Sequence, residues 1–349
     1  MNLLTHFRKI TILRFVLAGP VLLFSVPALF GGGIASRYPN DVGIGNDPNV
    51  ILADGFENYT DPRQMKGKWD EVANAPLMRI ATEPGNFVAG KKSLEMRLPI
   101  TSVETGVSIA KKFLKEPVLY VRTYEKWDLG YNIHGSGHNG ITISGGPYPG
   151  PGIRPPKDGT GFFLFLLQNN FMSLGGENQP GFSKVYAYWP YQRSRYGDHW
   201  CSNGSVIPYS PVIGNMGDWL AYPAQYPDFV AMPNWQPYRG VWYCHEFMVR
   251  LNTVGQRNGV VAFWINGQLK GRWTNMFIRG IDSLKIEIAR LSLSNQHSER
   301  VNKKWYDNVV IARSYIGPIS PPKPISRAAV ADFNSDGHKE GDRPAATGQ

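Results

Sequence analysis

Cysteine is scarce: Cys201 and Cys244 are the two in a chain of 349 residues. A single bridge closing a loop of some forty residues is the most that an oxidising compartment could make of them, and two buried free thiols are the other reading. Long stretches at helical spacing are also missing, while glycine (38), proline (27) and aromatics (13%) are plentiful. That mixture argues against a helical body and for many strands joined by loops. No Lys/Arg-rich run and no nucleic-acid motif occurs, so nucleic acid is set aside as a partner. Beyond the first thirty-five residues no segment is apolar enough to cross a bilayer.

What is present begins with an address. Arg8, Lys9 and Arg14 precede the apolar run from Phe15 to Phe30, and the small residues GGGIAS then offer a cleavage point near Ala35 or Ser36. Residues 1–35 read as a secretory signal peptide, which implies a secreted, periplasmic or cell-surface location. An uncleaved anchor is the competing reading, but a run interrupted by Pro20 and Pro27 falls short of the roughly 20 residues a spanning helix needs. Removing the leader lowers the formal charge from +10 to +7, because it carries three basic and no acidic residues. An excess of this size favours an anionic partner through long-range attraction, and for an exported chain that points to an acidic polysaccharide. Colloidal solubility is the plainer explanation.

The strongest local signal is GVVAFWINGQLKGRW, in which Asn266-Gly267 separates two alternating runs and supplies the positive φ angles of a two-residue hairpin turn. VWYCHEFMVRLN alternates two different faces, and SLKIEIARLSLS and KWYDNVVIARSYIG behave alike. Earlier strands are expected at NVILADGFE, KSLEMRLP, GVSIAKKF, VLYVRTYEKWD and GFFLFLLQNN. So many segments imply an all-β fold of two stacked antiparallel sheets. Pro147 to Thr160 and much of Tyr191 to Arg239 are too rich in Pro and Gly for central strands and are expected as long surface loops. PISPPKPIS (Pro318 to Ser326) reads as a stiff linker to a short tail, leaving residues 36–317 as one domain, expected to be monomeric.

LADGFE, VLYVRTYEKWDLGYN, VYAYWPYQ, the run WYCHEFMVRLNTVGQRNGVVAFWINGQLKGRW and the ending WYDNVVIARSYIGP together resemble the concanavalin A-like jelly rolls of alginate-lyase-like polysaccharide lyases, over roughly residues 50–317. The resemblance implies a two-sheet jelly-roll sandwich and β-elimination on a uronate polymer. Its closing DNVV strand also occurs in non-catalytic laminin-G-like and lectin-like sandwiches, so a glycan-binding module without chemistry is the second reading. Sandwich glucanases place paired carboxylates as Glu-x-Asp-x-x-Glu; that spacing occurs nowhere in this chain, which disfavours retaining hydrolysis.

An elimination of this kind needs a group that neutralises the uronate carboxylate, a base for the adjacent proton and an acid for the leaving oxygen. The resemblance implies Asn, Gln or Arg for the first and His or Tyr for the others, with no obligatory metal. Arg122, Tyr124 and Lys126 share one face of their strand, and so do Tyr186 and Tyr188. The expected assignment is Arg122 and Asn139 as neutralisers, His138 as base and Tyr188 as acid, with Tyr124, Lys126, Gln168, Tyr186 and Trp189 lining the substrate. Plainer readings stand beside these: exposed strand charges for Arg122 and Lys126, sandwich packing for the tyrosines, and a glycine-rich turn or a weak metal pair for His134 and His138. His245 is expected to pack within its strand. In the tail, Asp332, Asn334, Asp336 and Glu340 follow the opening of a calcium loop, although Arg343 stands where such a loop wants its bidentate Glu. A disordered polar tail is the alternative.

Overall fold

A computed structural model describes residues 32–132, 137–170, 180–204, 206–207 and 226–321. Its strands are β1 (Val50–Asp54), β2 (Glu71–Ala73), β3 (Met78–Ala81), β4 (Ser93–Leu98), β5 (Thr105–Lys111), β6 (Val118–Trp127), β7 (Asn139–Gly145), β8 (Phe163–Asn170), β9 (Phe182–Tyr188), β10 (Asp198–Cys201), β11 (Val206–Ile207), β12 (Asp228–Phe229), β13 (Tyr243–Arg250), β14 (Gly259–Ile265), β15 (Gln268–Met276), β16 (Ile288–Asn295) and β17 (Asn302–Ala312). They form two antiparallel sheets. The nine-stranded sheet runs β12-β15-β14-β13-β6-β17-β4-β3 with β1 beside β17, and the eight-stranded sheet runs β11-β10-β9-β8-β7-β16-β5-β2. The expected jelly-roll sandwich is the observed architecture.

Alternation decides which side chains meet. Leu119, Val121 and Trp127 of β6 enter one core cluster with Ile141 and Ile143 of β7, Phe163, Phe165 and Leu167 of β8, and Val185 and Ala187 of β9. Residues of the opposite parity on the same strands therefore point away from the core, onto the two outer faces. The expected hairpin is present: β14 and β15 join through Asn266 at φ 50° and Gly267 at φ 78°.

Two expectations change. The region Tyr191 to Arg239, read as a loop, contains β10, whose four residues pair antiparallel with β9, and the short β11 and β12. Four alternating residues between turn-forming neighbours are too few for a period to register, and it is the ladder offered by β9 that extends them. The start of the stretch read as a linker belongs to the folded body: Ile319 is fully buried and its N–H donates to the Tyr124 hydroxyl at 3.0 Å. The tail with Asp332, Asn334, Asp336 and Glu340 lies outside the described residues.

At the other end, Ile34 and Ala35 are buried against Val310, Ala312 and Ile316. Their N–H groups donate to Tyr315 and Ile316 carbonyls at 3.0 and 2.8 Å. Cleavage near Ala35 or Ser36 would remove both contacts. A chain beginning at Ser36 is expected to be less stable than one beginning at Gly32 by about 3–5 kcal/mol, the sum of the buried Ile34 side chain and two backbone hydrogen bonds; urea unfolding of the two chains measures the difference, and equal midpoints would contradict it.

Candidate functional site

The outer face of the eight-stranded sheet gathers the titratable groups. Register places Gly140 beside Gln168, Gln168 beside Lys184 and Lys184 beside Cys201; the next row runs Thr142, Leu166, Tyr186 and His199. His138 immediately precedes β7 and is locked to β16 by a backbone pair with Ser294 at 3.1 and 2.8 Å. Its ring lies on Tyr186, with centroids 5.0 Å apart at 23°, and His199 covers the tyrosine at 4.7 Å and 30°. Tyr186 is thus held near two imidazoles, and its hydroxyl lies 3.1 Å from that of Tyr188. The Gly152 N–H donates to Tyr188 from the 147–160 loop at 3.3 Å.

His138 Nδ1 lies 3.0 Å from Gln168 Oε1. Because an amide oxygen only accepts, this contact places the proton of the neutral ring on Nδ1 and leaves Nε2 as a proton acceptor. The Gln168 side chain is buried, and among the described residues its Nε2 has no hydrogen-bond partner. A buried donor without a partner is costly, and an acceptor brought to it is favoured. Burial lowers the His138 pKa, an effect the Gln168 bond partly offsets. His199 is held well below the ordinary imidazole value by burial, then by the charges of Lys184 and His138. Lys184 is lowered to about 8 by burial, against a smaller opposing effect of Cys201. The face therefore offers neutral bases, one poised ammonium and a free amide.

Glycine at 140 is a requirement of this floor. Its φ is 140°, and a Cβ there would stand 2.1 Å from the Leu167 carbonyl oxygen of β8. A side chain at 140 would push β7 away from β8, which carries Gln168.

The expected residues divide. His138, Gln168, Tyr186 and Tyr188 come together as described. Asn139 does not join them: one position further along, it faces the core, where its Nδ2 donates to Asn169 O at 2.5 Å and its Oδ1 lies 3.3 Å from Lys304 Nζ and 3.4 Å from Trp127 Nε1. Trp189 also faces the core, donating from Nε1 to Asp198 at 2.9 Å. Arg122, Tyr124 and Lys126 lie on the outer face of the other sheet. Arg122 is fully buried with its Nη2 2.6 Å from Asp41 Oδ2, and Lys126 donates to Gly85 O and Asn86 Oδ1 at 2.6 Å. The proposed neutralisers Arg122 and Asn139 are thus separated from His138, the first by the full thickness of the sandwich, because β6 and β9 belong to different sheets. His134 lies outside the described residues. Cys201 and Cys244 are buried on different sheets and are not joined by a disulfide. His245 is buried in its strand, 4.0 Å from Glu125.

Lys184 and His199 went unread. Lys184 was legible, since K-V-Y-A-Y puts it two residues before Tyr186 on the same face. His199 lies in β10, within the segment expected as a loop.

No family model matches the chain, and no curated protein does. Among solved structures, a variant of alginate lyase Aly36B in complex with alginate trisaccharide is similar at a TM-score of 0.52 and 14% identity, covering 76% of this chain and 98% of that one. A second Aly36B variant, with alginate tetrasaccharide, gives 0.51 and 15%, covering 76% and 97%. The likeness is one of fold, the jelly-roll sandwich. Among the described residues no helix is long and apolar enough to cross a membrane.

Beneath the floor, Lys304 is enclosed between the sheets, 2.7 Å from Glu125 and over the rings of Trp127 and Tyr306 at 4.4 and 4.8 Å. Removing one partner strands the other charge. Lys304→Met is expected to cost about 3–5 kcal/mol in urea unfolding, and the double variant with Glu125→Leu to recover most of it; a double variant as unstable as the single would contradict the pairing.

Proposed function

We propose that this protein is an exported lyase that cleaves a uronate-containing polysaccharide by β-elimination at the outer face of its eight-stranded sheet. One observation carries the reading: a neutral histidine whose Nδ1 contact leaves Nε2 as the acceptor nitrogen, a buried amide whose donor has no partner among the described residues, and a poised lysine are neighbours on one floor. The likeness of fold to alginate lyases supports it.

In this scheme Gln168 Nε2 and the Lys184 ammonium bind the uronate carboxylate and disperse the negative charge that builds up when the adjacent proton leaves. His138 Nε2 takes that proton. The electron pair of the C–H bond becomes the new double bond, the bond to the neighbouring sugar oxygen breaks, and Tyr186 donates its hydroxyl proton to the departing oxygen. Tyr188, 3.1 Å away, can turn its own hydroxyl proton to the phenolate that remains. The roles first expected of Asn139 and Arg122 pass to Gln168 and Lys184, and that of Tyr188 to Tyr186.

The purified protein is expected to raise ultraviolet absorbance from new unsaturated ends with at least one of alginate, pectate, glucuronan and heparin. His138→Ala is expected to lower kcat about 10²–10⁴-fold, the range for a lost general base. Absence of absorbance across the panel, with binding retained, would assign the protein to the non-catalytic glycan binders.

The pH profile follows from two groups. His138 must be neutral, so kcat/KM rises with pH through a pKa below 6.5; Lys184 must be charged, so it falls again near 8. In Lys184→Arg the alkaline limb is expected to move up, since guanidinium stays charged. An unmoved limb would remove Lys184 from the scheme.

A further inference from the structure

The outer face of the nine-stranded sheet carries a second constellation that the elimination chemistry does not use. Tyr120 of β6, Trp264 of β14 and Tyr315 after β17 form a cluster, with ring centroids 6.2 Å (Tyr120–Trp264), 5.3 Å (Trp264–Tyr315) and 6.5 Å (Tyr120–Tyr315) apart. All three rings are half-buried. They lie beside Met248, Val260 and Ala262, an apolar patch distinct from the main core. Register sets Arg272, Ala262, Met248 and Tyr120 side by side across β15, β14, β13 and β6, a row spanning about 14 Å at the usual strand spacing. Arg250 stands two residues beyond Met248 on the same face.

The exposed charge along this row is mainly positive. Arg250 and Arg272 are exposed and Lys270 is half-buried. Among the described residues none of the three is in an ion pair, and the recorded contact of the Arg250 head group is the Asn258 carbonyl at 3.4 Å. Two neighbouring carboxylates are engaged, Glu246 accepting from the Ile316 and Gly317 N–H groups and Glu116 holding Arg313, and the exposed Asp228 stands at the β12 edge opposite Thr274. Elsewhere cations gather with carboxylates, as Lys111, Lys112 and Arg290 do with Asp70 and Glu71, or Arg279 and Lys285 with Asp282.

We propose that this face is a second, non-catalytic binding platform for an extended anionic polysaccharide, whose sugar faces rest on Trp264 and Tyr120 while its carboxylates meet Arg250, Lys270 and Arg272. Aromatic rings with a wet edge suit a ligand that is apolar on one side and polar around its rim. Guanidinium forks suit carboxylates in two-point contact. A chain held here would keep a polymer on the enzyme between turnovers at the opposite face. The ligand class rests on the proposed activity; the site itself does not.

The test uses the full chain silenced by His138→Ala, with binding to alginate measured by calorimetry at low and at moderate salt. The double substitution Arg250→Ala with Arg272→Ala, and separately Trp264→Ala, are each expected to weaken binding at least tenfold with the β-sheet circular dichroism spectrum retained at the assay temperature, and the charge variant to keep its melting temperature and flatten the salt dependence. In the unsilenced protein the same changes should leave turnover of short oligosaccharides intact while raising KM for long polymer. Polymer binding that survives both variants overturns the proposal, as does preference for anionic phosphatidylglycerol vesicles over alginate. Binding that depends on this face in a protein without lyase activity would sustain the platform and remove the catalytic reading.

Discussion

The Lys304 ammonium, enclosed between two sheets, is the interaction on which the arrangement of the site depends. Burial pushes its pKa down, the Glu125 carboxylate at 2.7 Å opposes that, and the ammonium also lies over the faces of Trp127 and Tyr306. A charge taken out of water stays tolerable where its remaining donors are occupied. One of them is occupied by Asn139 Oδ1 at 3.3 Å, and the Asn139 amide in turn ties the start of β7 to the end of β8. A polar knot in the core, with partners on both sheets, therefore sets where β7 begins, and the residue just before it is His138.

Adjacent residues on one strand thus divide structural and chemical work. Asn139 points in and holds the sheets in register; His138 points out and meets Gln168, which stands opposite Gly140 on the neighbouring strand. The close approach of Gly140 to the Leu167 carbonyl holds β7 against β8, the two strands whose ends bring His138 and Gln168 within 3.0 Å. The other outer face is occupied differently. Arg122 and Tyr124 there anchor the Asp41 turn and the Ile319 segment, and both ends of the described body are fastened by them.

The architecture was readable because alternation and the Asn266-Gly267 turn are local signals. The pairing of strands was not, since nothing in VLYVRTYEKWD tells which of two sheets will take it. Arg122 and Tyr186 both carry the residue types and the period of a sugar-binding strand, yet they end on opposite surfaces. The same limit misplaced Asn139: beside His138 in sequence it suggested a catalytic pair, while period 2 sends the two in opposite directions. Lys184 needed only the parity of Tyr186 to be found. His199 needed the ladder with β9, which no four-residue window contains.

The electrostatics of the floor give the sequence of events a direction. With Lys184 charged beside two imidazoles, a proton on either ring is opposed by burial and by the ammonium, so the unloaded face keeps both rings neutral. An arriving carboxylate reverses one of these effects, since an anion near Lys184 and His138 favours the charged form of each. The lysine then holds its proton more firmly and the histidine becomes a stronger base, both at the moment the substrate is in place. Tyr186, stacked on His138, lies close to the ring that becomes positive, which favours the phenolate left when its proton departs. Binding the anion thus moves the acid and the base toward their working states together, and an uncharged sugar polymer occupying the same face would do neither.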